Sequence, residues 1–283
     1  MKLISNHTAH AAHDGDGVNI RRVADFNRIQ FDPFLMLDEL KSDDESDYIG
    51  GFPAHPHRGI ETFSYILKGG MEHKDQLGNV KALQAGDVQW MSTGSGVVHS
   101  EMPLADSEAG LHGFQIWLNM PASEKMRAAR YQDTTNTPIP EVDNSQGVVL
   151  RALAGDWNFA EKTLSAPIQG LAGKAAIADV ILAENANAGL MLEQHQLVAV
   201  YIYAGELINE DKIYSAQQLL LLDSQAVVAL KATAAGAGIL VLAGTPIKEQ
   251  IVHMGPFVMN TQAEIRQAID DYQNGHFGEI SSL

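Results

Sequence analysis

The sequence predicts an all-β protein made of two similar β-barrels in tandem, with a few short helices. A chain of 283 residues is long for one domain and comfortable for two of the usual size. Apolar stretches that alternate with polar residues, such as residues 62–67, are bounded by glycine-bearing turns, as strands are. One order of strand-like segments also occurs twice, which a duplicated barrel would leave in the sequence.

The repeat consists of two pairs of segments. Residues 65–69 (YILKG) resemble residues 201–205 (YIYAG), and residues 113–121 share their Gly-to-Pro spacing and apolar pattern with residues 238–246. Two copies of one barrel unit explain both pairs.

The same repeat sets the expected domain boundaries. We expect a first barrel over residues 1–135, a linker over 136–147 and a second barrel over 148–283 that ends in a helix. The linker is indicated by Pro138 and Pro140 among polar residues.

Two helices are expected. Residues 121–130 indicate a short helix with Pro121 in its first turn. Thr261 and Glu264 form a capping box, after which apolar residues recur on one helical face and Gly275 follows as a stop signal. That face consists of Ile265, Ala268, Ile269 and Tyr272.

Histidines and glutamates in two strand-like segments indicate a metal site. His55 and His57 point to one face of their strand, and His99 and Glu101 share a face of another. Glu61 is a second candidate for the oxygen ligand. Imidazole and carboxylate with open positions suit iron, manganese, copper, nickel or zinc, and the absence of cysteine excludes thiolate sites.

The order of these motifs resembles the cupin superfamily, and within it the pirin family. The resemblance rests on short motifs that are distributed from near residue 15 to about residue 278. They are residues 32–39 (DPFLMLDE), 55–61 (HPHRGIE), 86–91 (GDVQWM), 99–103 (HSEMP) and 255–261 (GPFVMNT).

The resemblance implies a ligand set. In pirins, which this chain resembles, the oxygen ligand is the glutamate two residues after the third histidine. The resemblance therefore implies His55, His57, His99 and Glu101 as the metal ligands. They would hold one transition metal ion per chain, usually Fe²⁺, with other divalent metals as alternatives. Glu61 would then support the site, paired with Arg58. The second barrel has His195 without a partner histidine two residues away, so we expect it to bind no metal.

The resemblance also implies two alternative functions. Pirins resemble quercetin 2,3-dioxygenases, which suggests cleavage of a small aromatic substrate such as a flavonol with dioxygen, with Glu101 as both ligand and catalytic base. The alternative is a non-catalytic, iron-dependent regulator that acts through a protein partner. Five apolar residues would line a substrate pocket or belong to an ordinary core, and these are Phe34, Met36, Phe52, Trp90 and Met91.

Composition limits the partners. The formal charge is −16, from 19 basic and 35 acidic side chains, which argues against direct nucleic-acid binding. No signal peptide and no apolar stretch of membrane-spanning length is visible, so we expect a cytoplasmic protein without membrane contact.

Overall fold

The computed structural model describes residues 2–26, 29–104, 110–223 and 227–280. Within these ranges regular structure is mostly β-strand. The first half of the chain contributes β1 (Leu3–Thr8), β2 (His10–Asp14), β3 (Val18–Ala24), β4 (Phe34–Ser42), β5 (Phe52–His57), β6 (Ile60–Lys68), β7 (Gly70–Asp75), β8 (Val80–Gln84), β9 (Val88–Ser92), β10 (Val97–Pro103), β11 (Leu111–Asn119) and β12 (Arg130–Asp133).

The second half adds further strands and one α-helix. They are β13 (Glu141–Asp143), β14 (Val148–Ala154), β15 (Asp156–Phe159), β16 (Lys162–Ser165), β17 (Ala176–Leu182), β18 (Asn187–Leu190), β19 (Leu197–Asn209), β20 (Lys212–Ser215), β21 (Gln218–Leu222), β22 (Val228–Gly244), β23 (Val252–Met254), β24 (Phe257–Met259) and α1 (Gln262–Gln273). Short 3₁₀ turns occur at Ile29–Phe31, Glu45–Asp47 and Ala172–Lys174. None of the described helices is long and apolar enough to cross a membrane.

The chain divides into two compact units whose boundaries differ from the expected ones. The first-barrel unit comprises Ala11–Arg28, Phe34–Thr137 and Ile247–Leu283, and the second-barrel unit comprises Met1–His10, Ile29–Pro33 and Pro138–Pro246. Pairing of β1 with β21 places the amino-terminal strand in the second-barrel unit. Packing of α1 and β24 with Val98 of β10 places the carboxyl-terminal helix in the first-barrel unit. Both assignments depend on contacts between segments far apart in sequence.

The first-barrel unit contains two antiparallel sheets. One has the strand order β12-β9-β6-β11-β4-β3-β2 and the other β5-β10-β7-β8. The β7–β8 connection is a hairpin, in which the Asp75 carboxylate accepts hydrogen bonds from the backbone N–H groups of Leu77 and Asn79. Buried Leu40, Ile66 and Leu83 belong to a core that includes residues of both sheets.

The second-barrel unit contains a sheet of order β1-β21-β19-β22-β17-β14-β13, over a core of alternating side chains such as Leu150, Val200 and Val241. The predicted repeat is present, because β6 pairs with β11 in one unit and β19 pairs with β22 in the other. Part of the expected linker is a strand of this sheet, since β13 pairs with β14.

The two helix predictions have different outcomes. Helix α1 begins after the predicted capping box, in which Thr261 and Glu264 satisfy each other's backbone groups. The helix predicted over residues 121–130 is wrong, because this segment forms successive turns. Lys125 is 1% exposed, and its ammonium group binds three oxygens of neighbouring segments, which the exposed face of a surface helix would not allow.

Candidate metal centre

Three imidazoles come together where β5 pairs with β10. His55 and His57 lie on β5, and His99 of β10 is directly opposite His55 in the antiparallel register. The ring centroids are 4.8 Å apart for His55 and His57, 4.3 Å for His55 and His99, and 5.0 Å for His57 and His99. Their candidate ligand nitrogens all lie within 4.8 Å of one another. Strand alternation and register together therefore gather these three predicted residues.

The hydrogen bonds of these rings leave nitrogens available for a metal. His55 Nδ1 lies 2.8 Å from the Pro53 carbonyl oxygen, and His57 Nδ1 lies 3.4 Å from that of Pro256, so each Nε2 remains. His99 is fully buried, and neither of its ring nitrogens has a hydrogen-bond partner in the described structure. Burial, with a smaller contribution from neighbouring imidazoles, lowers the pKa of His57 and His99 well below its ordinary value. Neutral imidazoles that keep an unpartnered nitrogen fit a transition-metal ion.

Glu101 is oriented by amide and hydroxyl groups of the barrel interior. A register shift between His99 and Glu101 interrupts the pairing of β10 with β5. Gln89 donates to Oε1, Gln115 donates to Oε2 at 2.9 Å, and Ser64 Oγ lies 3.2 Å from Oε1. The carboxylate is thereby fixed beside His99, with which it shares a group of candidate ligand atoms that does not include His55 or His57. The hydrogen bonds also satisfy buried polar groups that would be costly to leave unpaired.

Beside these three imidazoles lies His73, a buried histidine that the sequence analysis did not assign to the site. It is paired with Glu101 across β7 and β10, and candidate ligand atoms of His73, His99 and Glu101 form a second group within 4.8 Å. The ring of His73 stacks on Tyr131 at 4.6 Å, and its Nε2 lies 3.0 Å from Asp75 Oδ2. The alternation of His73 with Asp75 on one strand was the signal available for it.

The predicted pairing of Glu61 with Arg58 is wrong. Glu61 is fully buried, accepts a hydrogen bond from Trp90 Nε1 at 3.1 Å, and pairs with Arg127 at 3.2 Å. Arg58 instead pairs with Asp271 of α1. The reason is geometric, since successive strand residues face opposite ways and Glu61 lies on β6, beyond the bend at Gly59.

That bend lies against the carboxyl-terminal segment of the same unit. Gly59 has φ of +82°, and a Cβ atom there would lie 2.1 Å from the Val258 carbonyl oxygen, so only glycine fits. Lys125 joins the Gly59 bend to β24 by donating to Gly59 O at 2.7 Å and to Val258 O at 2.9 Å. Burial lowers the pKa of Lys125 to about 8. The histidine motif is therefore supported by residues far away in sequence.

A cavity of about 620 Å³ opens at the cluster. His55, His57 and Glu101 are among its lining residues. Most of the remaining surface is apolar or aromatic, contributed by Ile20, Phe26, Met36, Leu40, Phe52, Trp117 and Pro256. The predicted lining role of Met36 and Phe52 is confirmed, whereas Phe34, Trp90 and Met91 belong to the buried core.

Comparison with known proteins gives the family. The Pirin family pattern matches residues 17–118, and that of the Pirin C-terminal cupin domain matches residues 177–278. The chain belongs to the pirin family. Its two units are accordingly cupin barrels, as the sequence predicted.

Relatives of this pirin-family chain cover nearly its whole length. A Vibrio cholerae protein, provisionally named a quercetin 2,3-dioxygenase, is 45% identical over 269 residues, which are 95% of each chain. Pirin of Mus musculus is 34% identical over 94% of this chain and 90% of its own. The crystal structure of quercetin 2,3-dioxygenase from Acinetobacter baumannii superimposes with a TM-score of 0.87 at 30% identity and covers 99% of both chains.

The second cupin barrel contains His195, which is 8% exposed. Burial lowers the pKa of this imidazole. Among the described residues, neither group of candidate metal ligands includes it. That the chain binds a single metal stays a prediction.

Proposed function

We propose that this pirin-family protein is a mononuclear dioxygenase that cleaves flavonols such as quercetin, with Fe²⁺ held by His55, His57, His99 and Glu101. The observation that carries the proposal is that donors of imidazole and carboxylate type line an apolar cavity of about 620 Å³. Pockets for small organic ligands have volumes of about 300–1,000 Å³, and a three-ring flavonol belongs to that class. The names of the Vibrio and Acinetobacter relatives agree with this substrate class.

The cavity wall suits a flat, partly polar molecule. Trp117 stands edge-on to His57 with 4.9 Å between the ring centroids, and Phe26 packs against Trp117 at 6.0 Å. Aromatic rings of a substrate would pack against these side chains and displace water. Farther along the wall, Arg22 binds Asp38 through two hydrogen bonds of 3.0 and 2.8 Å, which fixes a polar pair suited to ring hydroxyl groups.

Glu101 is the base of the proposed reaction. Its carboxylate faces the cavity and is oriented by Gln89 and Gln115, so it can accept the proton of the flavonol 3-hydroxyl without reorganising. Tyr131 donates to Gln89 Oε1 at 3.2 Å and so fixes the amide that holds Glu101. Bound iron would supply the Lewis-acid and one-electron chemistry that lets dioxygen react with an organic anion.

The experiment is turnover of quercetin by protein loaded anaerobically with Fe²⁺. Loss of flavonol absorbance is followed together with oxygen uptake for wild type and Glu101→Gln. An amide still offers an oxygen to the metal but cannot take up the substrate proton, so we expect retained iron and turnover reduced by about 10²–10⁴-fold.

Glu39→Gln is the matched control. Glu39 is another buried carboxylate of the same barrel, paired with His112 outside the cavity lining, and its loss should leave turnover near wild type. Wild-type turnover no faster than free ferrous iron in the same buffer would refute the proposal and favour the regulator.

A further inference from the structure

A second, much smaller chamber lies beside Glu101. Its volume is about 30 Å³, and it is lined mainly by apolar residues of the first-barrel core. These are Leu40, Phe52, Ile66, Met71, Leu83, Leu111 and Phe114. Neither the proposed flavonol site nor the metal cluster accounts for this space.

The chamber opens toward the large cavity. Leu40, Phe52, Glu101 and Gln115 line both spaces. Of the residues around the chamber, Phe52 and Gln115 are the most exposed, and both also line the large cavity. Glu101 and Gln115 thus form a partition with the chamber on one side and the proposed substrate site on the other.

The polar side chains in the wall of the chamber form hydrogen bonds to one another. Ser64 donates to Gln115 Oε1 at 2.6 Å, and Gln115 donates in turn to Glu101 Oε2 at 2.9 Å. Gln89 donates to Glu101 and lies 3.1 Å from Ser64 Oγ. A buried water needs about two to four polar partners, whereas here the polar atoms already bind one another. An apolar occupant is favoured over water.

The volume suits one diatomic molecule. A water-sized particle requires roughly 10–15 Å³ of such space, so about 30 Å³ corresponds to two atoms of similar size. We propose that this chamber is a dioxygen-binding site that supplies the co-substrate from behind Glu101 while the flavonol fills the large cavity. The inference rests on the proposed function, because a dioxygenase needs a place for dioxygen as well as for its organic substrate.

The first arm of the test needs no catalysis. Crystals of the metal-loaded protein are pressurised with xenon, an apolar probe that enters dry cavities of this kind. We expect xenon between Leu83, Ile66 and Glu101. Ordered water in the chamber, or its exclusion of xenon, would overturn the proposal whether or not the protein turns over flavonols.

The second arm fills the chamber. Leu83 is the buried residue of β8, and Leu83→Phe directs extra volume into the space. We expect the KM for dioxygen to rise roughly threefold or more, with metal content and the KM for flavonol unchanged. Leu77→Phe, the same change at a half-exposed loop position, is the control.

The two arms separate the possible failures. An unchanged dioxygen KM in a folded Leu83→Phe protein would show that the chamber is off the dioxygen route and would refute the inference. Xenon binding in a protein without flavonol turnover would refute the proposed function and support the chamber as an apolar gas site.

Discussion

Arg58, which directly follows the second histidine of the motif, donates from Nη1 to Asp271 Oδ2 at 2.8 Å across 213 positions of sequence. The guanidinium is buried, also donates to Ser95 O at 2.6 Å, and lies 4.6 Å from the centroid of Phe277. Helix α1, which carries Asp271, thereby supports the strand that carries His55 and His57.

Asp271→Asn should destabilise the protein in a pH-dependent way. The hydrogen bond from Arg58 lowers the pKa of Asp271 to about 2. A carboxyl group with a lowered pKa stabilises the folded state at pH values above its unfolded pKa, near 3.9, and loses that effect as pH falls through the folded value. The difference between wild type and variant should therefore be about 1–3 kcal/mol and constant from pH 7 to about pH 4, and should narrow below pH 4.

Urea unfolding of metal-free protein at a series of pH values measures this difference. Asp270→Asn, at an exposed carboxylate of the same helix, is the control. A difference that stays constant down to pH 2.5 would show that the Asp271 charge does not stabilise the fold.

His99→Ala should remove most of the metal. The ring is fully buried with both nitrogens unpartnered, so the metal would lose a pre-positioned donor. Loss of residues that merely orient ligands costs about 10–100-fold in affinity, and loss of a ligand should cost at least as much. Elemental analysis after anaerobic loading measures the effect. His195→Ala removes a buried imidazole of the other barrel and should keep one metal per chain; two metals in wild type would contradict the stoichiometry.

Glu101→Ala should weaken metal binding more than Glu61→Ala. Glu101 lies with His99 in one group of candidate ligands, whereas Glu61 accepts from Trp90 and Arg127. Glu61→Ala should instead lower the free energy of unfolding by roughly 1–3 kcal/mol, because a buried indole N–H loses its acceptor. Metal titration and urea unfolding of both variants distinguish the two roles. A metal-free Glu61 variant beside a metal-replete Glu101 variant would favour the general cupin ligand pattern.

Lys125→Met should destabilise the first barrel by roughly 1–3 kcal/mol without entering the cavity. The substitution keeps much of the side-chain volume but leaves Gly59 O, Asn119 Oδ1 and Val258 O without their shared donor. Thermal unfolding of metal-free protein measures the loss, and Lys68→Met, at a half-exposed lysine, is the matched control. Equal midpoints for the two variants would show that the Lys125 contacts do not hold the bend at Gly59.

Local pattern was sufficient for part of the site. A period of two residues along a strand requires His55 and His57 to share a face, and the capping box requires a helix to begin after Thr261. The sequence repeat likewise indicated that β6 and β11 have counterparts in β19 and β22. These features depend on neighbours along the chain, so they can be read from sequence alone.

Only the tertiary structure decided what surrounds those residues. The partners of Glu101 come from three other strands, and His73 reaches it through the register of β7 and β10. Arg58 pairs with Asp271 and not with Glu61, and Lys125 is buried where a surface helix was predicted. Both outcomes follow from packing between segments more than a hundred positions apart. Such contacts are set by the closure of whole sheets around a core, which local propensity does not encode.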